Sequence, residues 1–150
     1  MGLRDRFIEA MKAAMKAREA KRLGAVRLIL AAVQERAIAA RTDELSDEEI
    51  LGLLAKMIKQ REDSAAIYET GGRPELAAGE REEIAVIREF MPRQLSAVEI
   101  RAAVVEAVAA TGAASLKDMG KVMGALKASH SGTMDFGKAG AIVKELLAAK

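Results

Sequence analysis

Apolar residues recur at helical spacing along almost the whole chain, and this periodicity constrains the fold more than any other feature. Ile50, Leu54, Met57 and Ile58, for example, fall on one side of a helix with 3.6 residues per turn. No segment shows the two-residue alternation that a half-buried strand requires. The sequence therefore predicts an all-α protein. Its seven apolar stripes start at Phe7, Leu23, Ile50, Ile84, Ile100, Leu116 and Phe136, the first including Met15 and the sixth including Met119, Met123 and Leu126.

Two segments carry the same signal for the start of a helix. Ser46 is followed by Glu49, and Ser96 by Glu99, with a leucine before each serine and an isoleucine after each glutamate. Such a serine accepts a hydrogen bond from the amide three residues on, and the glutamate accepts one from the serine amide. Each segment is therefore predicted to form a capping box with a hydrophobic staple.

Segment 91–94, Met-Pro-Arg-Gln, is the strongest candidate for a domain boundary, because proline ends helices. About four helices are predicted before it, the third ending at Gly71 and Gly72. Three short helices are predicted after it. The sequence thus predicts an N-terminal helical domain over residues 1–92 and a small three-helix domain over residues 95–150. A unit that small is marginal on its own.

The composition excludes several classes of function. The chain is 51% hydrophobic and 31% charged, which suits a folded domain, and its net charge of +2 excludes a strongly basic, histone-like protein. The charge is uneven. Lys and Arg outnumber Asp and Glu by ten to six in residues 1–45 and by seven to four in residues 101–150, whereas residues 46–100 hold seven against twelve. An acidic middle therefore lies between two mildly basic ends.

Cysteine is absent, so the chain has no disulfide framework, Cys-based zinc site or Cys nucleophile. Proteins without disulfide bonds are typical of a reducing compartment. The N-terminus lacks the apolar segment of a secretory signal, and the run Leu28 to Val33 is too short to span a bilayer. We expect a cytoplasmic protein with no membrane partner.

A phosphate-binding loop is suggested by the spacing of Gly132, Gly137 and Lys138. Position 139 is Ala, however, so the hydroxyl that would bind Mg²⁺ is missing, and the preceding segment has the pattern of a helix rather than a strand. We interpret Gly132 as a turn residue and Asp135 as the cap of the last helix.

No other segment is predicted to carry catalysis, a cofactor or a metal. His130 is the only histidine, and no partner at metal-ligand spacing accompanies it. The carboxylates of residues 80–89 alternate with Arg81 and Arg88, as on a solvated helix face. Arg61 falls on the apolar stripe of the third helix and is predicted to be partly buried and paired with a carboxylate.

Basic residues of the last third are the candidates for contact with nucleic acid. Lys117 and Lys121 are spaced one helical turn apart, and three more lysines follow; the candidates are Lys117, Lys121, Lys127, Lys138 and Lys144. Gly120 and Gly124 lie among them and are costly in a helix. Close packing of a neighbouring helix would explain these glycines, and so would close approach of a nucleic-acid backbone.

Taken together, the motifs of this chain resemble the YqeY family almost end to end. The residues that carry the resemblance are 27–29 (Arg-Leu-Ile), 59–64 (Lys-Gln-Arg-Glu-Asp-Ser), 72–77 (Gly-Arg-Pro-Glu-Leu-Ala), Glu80, Glu83, 91–96 (Met-Pro-Arg-Gln-Leu-Ser) and 118–124 (Asp-Met-Gly-Lys-Val-Met-Gly). The second half of this family is similar to the tail domain of GatB, a subunit of the glutamine-dependent aspartyl/glutamyl-tRNA amidotransferase. The resemblance implies two helical domains, the second of the GatB-tail type, which helps to hold tRNA.

On that resemblance, Lys121 and the turn from Ala128 to Asp135 match the tail positions concerned with tRNA. Members of the family often carry a basic residue after the turn glycine, where this chain has Thr133. The leading hypothesis is a tRNA-associated accessory protein without catalysis of its own, binding weakly and in a salt-dependent way. The alternatives are an amidotransferase-like carbon–nitrogen ligase acting within a complex, and a protein–protein adaptor that docks through the acidic segment 46–91.

Overall fold

Residues 2–150, which the computed structural model describes, form seven α-helices and one short 3₁₀ turn and contain no β-strand. The prediction of an all-α fold is therefore confirmed. The helices are α1 Leu3–Ala17, α2 Ala20–Ala39, α3 Asp47–Thr70, α4 Pro74–Arg88, α5 Ala97–Thr111, α6 Met119–His130 and α7 Phe136–Ala148, and the 3₁₀ turn is Leu116–Asp118. No helix in this part of the chain is both long enough and apolar enough to cross a bilayer.

The chain divides into two compact units, of which the first ends at Met91 and the second runs from Pro92 to Lys150. The first unit contains α1 to α4 and the second contains α5 to α7. Independent folding of each unit, which the predicted domains 1–92 and 95–150 imply, stays a prediction.

The helix ends follow local sequence signals. Both predicted capping boxes are present: the Ser46 and Ser96 side chains accept from the amides of Glu49 and Glu99, 3.1 and 3.2 Å away, and each glutamate accepts in return. Gly112 ends α5 in the left-handed conformation, with φ of 66°, which favours glycine. Helix α4 ends at Arg88, before Pro92 is reached.

The core of the first unit is built from the inward stripes of its four helices. Phe7, Ile29, Leu54 and Ile87 are fully buried there. The ring of Phe7 meets that of Phe90 edge to face, with centroids 4.9 Å apart, an arrangement that aromatic pairs prefer. These contacts fix α1, α2, α3 and α4 around one apolar centre.

Arg61 confirms the prediction of a partly buried, paired arginine. Its side chain is 16% exposed, and its Nε donates to Glu83 at 2.8 Å while an Nη donates to the carbonyl of Met57 at 3.2 Å. The pair joins α3 to α4. These two hydrogen bonds, one of them to a carboxylate, compensate the partial burial of the guanidinium.

The second unit has a separate core, to which Val104, Val122, Leu126 and Val143 contribute fully buried side chains. Two residues of the predicted apolar stripes are exposed. Met15 in α1 is 51% exposed, and Leu116 is 48% exposed because it belongs to the 3₁₀ turn and not to α6.

Candidate nucleic-acid interface

The candidate interface begins where the chain enters α6. The carboxylate of Asp118 accepts from the amides of Ala114 at 2.8 Å and Ser115 at 3.3 Å and so fixes the 3₁₀ turn ahead of the helix. These hydrogen bonds, with a smaller contribution from the nearby charge of Lys121, hold the pKa of Asp118 below its ordinary value. The turn thereby sets the direction in which α6 leaves it.

Helix α6 is apolar on one side and open to solvent on the other. Val122 and Leu126 are buried in the core of the second unit. The opposite side, continued back into the 3₁₀ turn, carries exposed glycines and lysines and ends at the exposed Ala128. We call this surface the Gly–Lys face; it consists of Lys117, Gly120, Lys121, Gly124 and Lys127. These five residues lie on one side of the helix, within an arc of about 120°, and extend over about 15 Å along its axis.

The two glycines of this face have nothing above them. A β-carbon built at Gly120 or at Gly124 would meet no atom within 4 Å. Close packing within the unit is therefore not the reason for these glycines, which corrects that interpretation of the sequence. Two glycines in a helix still cost stability relative to alanine. What remains is a bare strip of backbone on which a ligand can lie close to the helix.

The lysines of the Gly–Lys face form no ion pair in the described chain, although the charge of Lys121 is near enough to Asp118 to act on its pKa. Among residues 2–150, none of the three lies within 4.0 Å of a carboxylate oxygen, and all three side chains are exposed. The ion pairs of the second unit are made by arginines instead: Arg93 binds Glu99 at 2.8 Å, and Arg101 binds Glu145 at 3.1 Å. The uncompensated positive charge of this unit is thus carried by lysines.

Lys138 and Lys144 are also exposed but lie on α7. Six residues separate them, which turns their side chains about 120° apart around the helix axis. No ion pair in the described chain engages either of them. They lie on a different helix from the lysines of the Gly–Lys face, and their role as contacts stays a prediction.

The turn between α6 and α7 is closed by its own hydrogen bonds. Thr133 donates from both its amide and its hydroxyl to the carbonyl of His130, each at 3.1 Å. The carboxylate of Asp135 accepts from the amides of Gly137 and Lys138 at 2.9 and 3.1 Å. Asp135 is therefore the N-cap of α7, as predicted, and it occupies the amides that a phosphate-binding loop would offer. The preceding α6 is a helix, which also agrees with the prediction.

Gln94 is a residue whose role sequence reasoning missed. Its side-chain amide donates to the carbonyls of Pro92 at 2.9 Å and Gly132 at 2.8 Å. The amide of Leu95 adds a bond of 2.8 Å to the carbonyl of Thr133. The segment before α5 therefore holds the turn in place. The only sequence signal was that Gln94 belongs to the motif of residues 91–96.

No grouping of three or more His, Asp or Glu residues that could hold a metal occurs in the described part of the chain. His130 ends α6 and is partly buried. Its backbone carbonyl accepts the two hydrogen bonds from Thr133 that close the turn.

Similarity to known proteins is found at the level of a protein family. No curated protein matches the chain. The family model described as "Yqey-like protein" matches residues 4–147, which is nearly the whole length. The match runs through α1 to α6 and to within one residue of the end of α7. The chain therefore belongs to the YqeY family.

Proposed function

We propose that this protein binds tRNA through the Gly–Lys face and acts as an accessory protein without catalysis of its own. The observation that carries the proposal is that open glycine backbone and lysines without an ion pair lie on the same exposed side of α6. The sequence motifs of the second half resemble those of the GatB tail, and for this reason we propose tRNA as the nucleic acid.

The physical basis of binding is the phosphate backbone. Each lysine that meets a phosphate releases condensed counterions, which favours binding at low salt. Gly120 and Gly124 expose helix backbone between the lysines, so a strand can approach without displacing side chains. Such contacts position a nucleic acid but do not by themselves read its sequence.

The aromatic residues favour a backbone contact over base stacking. Phe7 and Phe90 are buried in the core of the first unit, and Tyr68 and Phe136 are partly buried. Single-strand binding proteins usually present exposed aromatic rings on which bases stack. No aromatic side chain is exposed in residues 2–150. We therefore infer that structured, largely double-helical RNA is the preferred partner.

The test is an electrophoretic mobility shift of labelled tRNA at low salt. We expect the wild type to shift tRNA and the double variant Lys117→Glu with Lys121→Glu to lose the shift. Lys12→Glu with Lys16→Glu in α1 is the matched control, because those lysines are also exposed, unpaired in the described chain and one turn apart. No shift by the wild type, or equal loss in both double variants, would contradict the proposal.

The salt dependence gives a second, quantitative measure. If all three lysines of the Gly–Lys face meet phosphates, the logarithm of the binding constant falls with the logarithm of salt concentration with a slope of about −2.7. Affinity then drops about 40-fold between 50 and 200 mM salt. Replacing Lys117 and Lys121 by Gln leaves one contact, so the drop becomes about 3- to 4-fold. An unchanged slope would show that these lysines do not meet phosphates.

A further inference from the structure

Helix α5 is apolar around nearly its whole circumference. Its 15 residues include only three charged ones, Glu99, Arg101 and Glu106. Ile100, Val104 and Val108 face the core of the second unit and are buried. A helix that is hydrophobic on all sides is normally covered on all sides. The side of α5 that faces away from the core is therefore a candidate contact surface.

Four apolar residues make up this outer side, and all four are exposed. Val98 is 79% exposed and Val105 is 51% exposed. Together with Ala102 and Ala109 they are spaced by four, three and four residues. This is the spacing of positions d, a, d and a in a coiled coil. We call Val98, Ala102, Val105 and Ala109 the outer α5 stripe.

Two exposed, opposite charges flank the stripe, one on each side. Arg101 occupies the g position and Glu106 the e position of the same heptad pattern. Glu106 has no cation within 4.0 Å among the described residues. Arg101 is bound to Glu145 at 3.1 Å, but its side chain is still 49% exposed. Both charges are therefore accessible to a partner.

We propose that the outer α5 stripe pairs with the same stripe of a second copy of this chain, with the two helices parallel. In a parallel pair, a residue at g faces the residue five positions later on the other helix. Arg101 then faces Glu106 of the partner subunit, and the same pair forms on the other flank by symmetry. In an antiparallel pair, g faces g and e faces e, so like charges would meet. The charges therefore select the parallel arrangement.

The stripe also sets the strength of the association. Ala102 and Ala109 allow the helices to approach closely, but the stripe spans only about two heptads. An interface well under about 1,200 Å² gives weak or transient complexes. We therefore expect a dimer that is populated at high protein concentration and dissociates on dilution.

Sedimentation velocity of the full chain tests the proposal. We expect the mass to rise from that of the 16.0 kDa monomer towards twice this value as the concentration approaches about 1 mM. Val105→Asp places a charge in the stripe and should keep the protein monomeric. Ile67→Asp is the matched control, since Ile67 is 70% exposed on α3 and should leave the dimer unchanged.

Charge exchange tests the parallel arrangement. Arg101→Glu alone and Glu106→Arg alone each turn both attractive pairs into repulsive ones, so each should weaken dimerisation at least severalfold. The double exchange restores attraction and should restore the dimer. Glu106→Arg is the cleaner single variant, because Glu106 has no ion pair to lose within the described chain.

Three results would overturn the proposal. The wild type could remain monomeric at about 1 mM, as expected if the stripe is covered within the chain or by another protein. The dimer could survive Val105→Asp, which would place its interface elsewhere. Dimerisation could also be insensitive to the single charge changes, which would exclude the parallel pairing of Arg101 with Glu106 of the partner subunit. Circular dichroism of every variant shows whether the helices are intact.

Discussion

Replacing the glycines of the Gly–Lys face by alanine should make the protein more stable. A β-carbon at Gly120 or Gly124 meets no atom within 4 Å, so the substitution introduces no clash. Alanine is favoured over glycine by about 0.8–1.0 kcal/mol in a helix interior. Gly124 lies within α6 and should show the full gain, whereas Gly120 is the second residue of the helix and should show less. For the double variant we expect the free energy of unfolding to rise by about 1–2 kcal/mol.

Urea denaturation followed by circular dichroism measures this gain directly. The midpoint should rise with an unchanged slope, since the surface exposed on unfolding stays nearly the same. If the whole chain unfolds as one, the melting temperature should rise by about 2–8 °C. Gly112→Ala is the control of opposite sign, because Gly112 has φ of 66° and alanine is strained there by about 1–2 kcal/mol.

The same positions connect stability to binding. Leucine at Gly120 and Gly124 also fits the open side of the helix, yet it would hold an approaching strand away from the backbone. We expect this variant to fold normally and to bind tRNA at least tenfold more weakly, about 1.4 kcal/mol. If Gly124→Ala destabilises the protein, the inference that the face is open is refuted. If the leucine variant binds like the wild type, the glycines do not serve RNA.

Three further predictions concern other parts of the chain. Arg61→Met should lower the free energy of unfolding, measured by urea denaturation, by about 1–2 kcal/mol, because it leaves Glu83 without its partly buried partner. A change near zero would mean that the pair contributes as little as an exposed ion pair. The hydrogen bond from Arg93, followed by that from the Ser96 amide, lowers the pKa of Glu99 from 4.5 to about 2. Because the pKa is lower in the folded protein, the ionised Glu99 carboxylate stabilises the fold above pH 4.5, and this stabilisation is lost as the pH falls towards 2. In ¹³C NMR, Arg93→Ala should raise that pKa towards its ordinary value, and an unchanged titration would contradict the assignment. Asp135→Ala should remove the cap of α7 and cost about 1 kcal/mol in thermal unfolding, whereas no change would show that water replaces it.

The features predicted correctly from the sequence depend on short-range order. Capping boxes such as Ser46 with Glu49 join residues three apart, and the apolar stripes repeat every turn, so both are visible in a linear sequence. For Arg61 the sequence indicated a partly buried, paired side chain. It did not identify Glu83 as the partner, since the two are separated by 22 residues and meet only after α3 packs on α4.

The features that the sequence did not settle depend on what lies opposite a given helix face. The spacing of Gly120 and Gly124 is equally compatible with a packed face and an open one, and only the position of the other helices decides between them. The bond from Gln94 to the carbonyl of Gly132 spans 38 residues and involves a backbone acceptor, for which no residue type is a signal. The lysines were found by their spacing, but only the fold shows that the three on the Gly–Lys face form no ion pair in the described chain.

Tyr68 gives this protein a built-in optical reporter. The chain has one tyrosine and no tryptophan, and Tyr68 lies in α3 of the first unit. Tyrosine fluorescence should therefore follow the unfolding of the first unit alone, whereas far-ultraviolet circular dichroism follows the helices of both. Coincident transitions would mean that the two units melt cooperatively. Separate transitions would establish the predicted domains as independent, without any label or truncation.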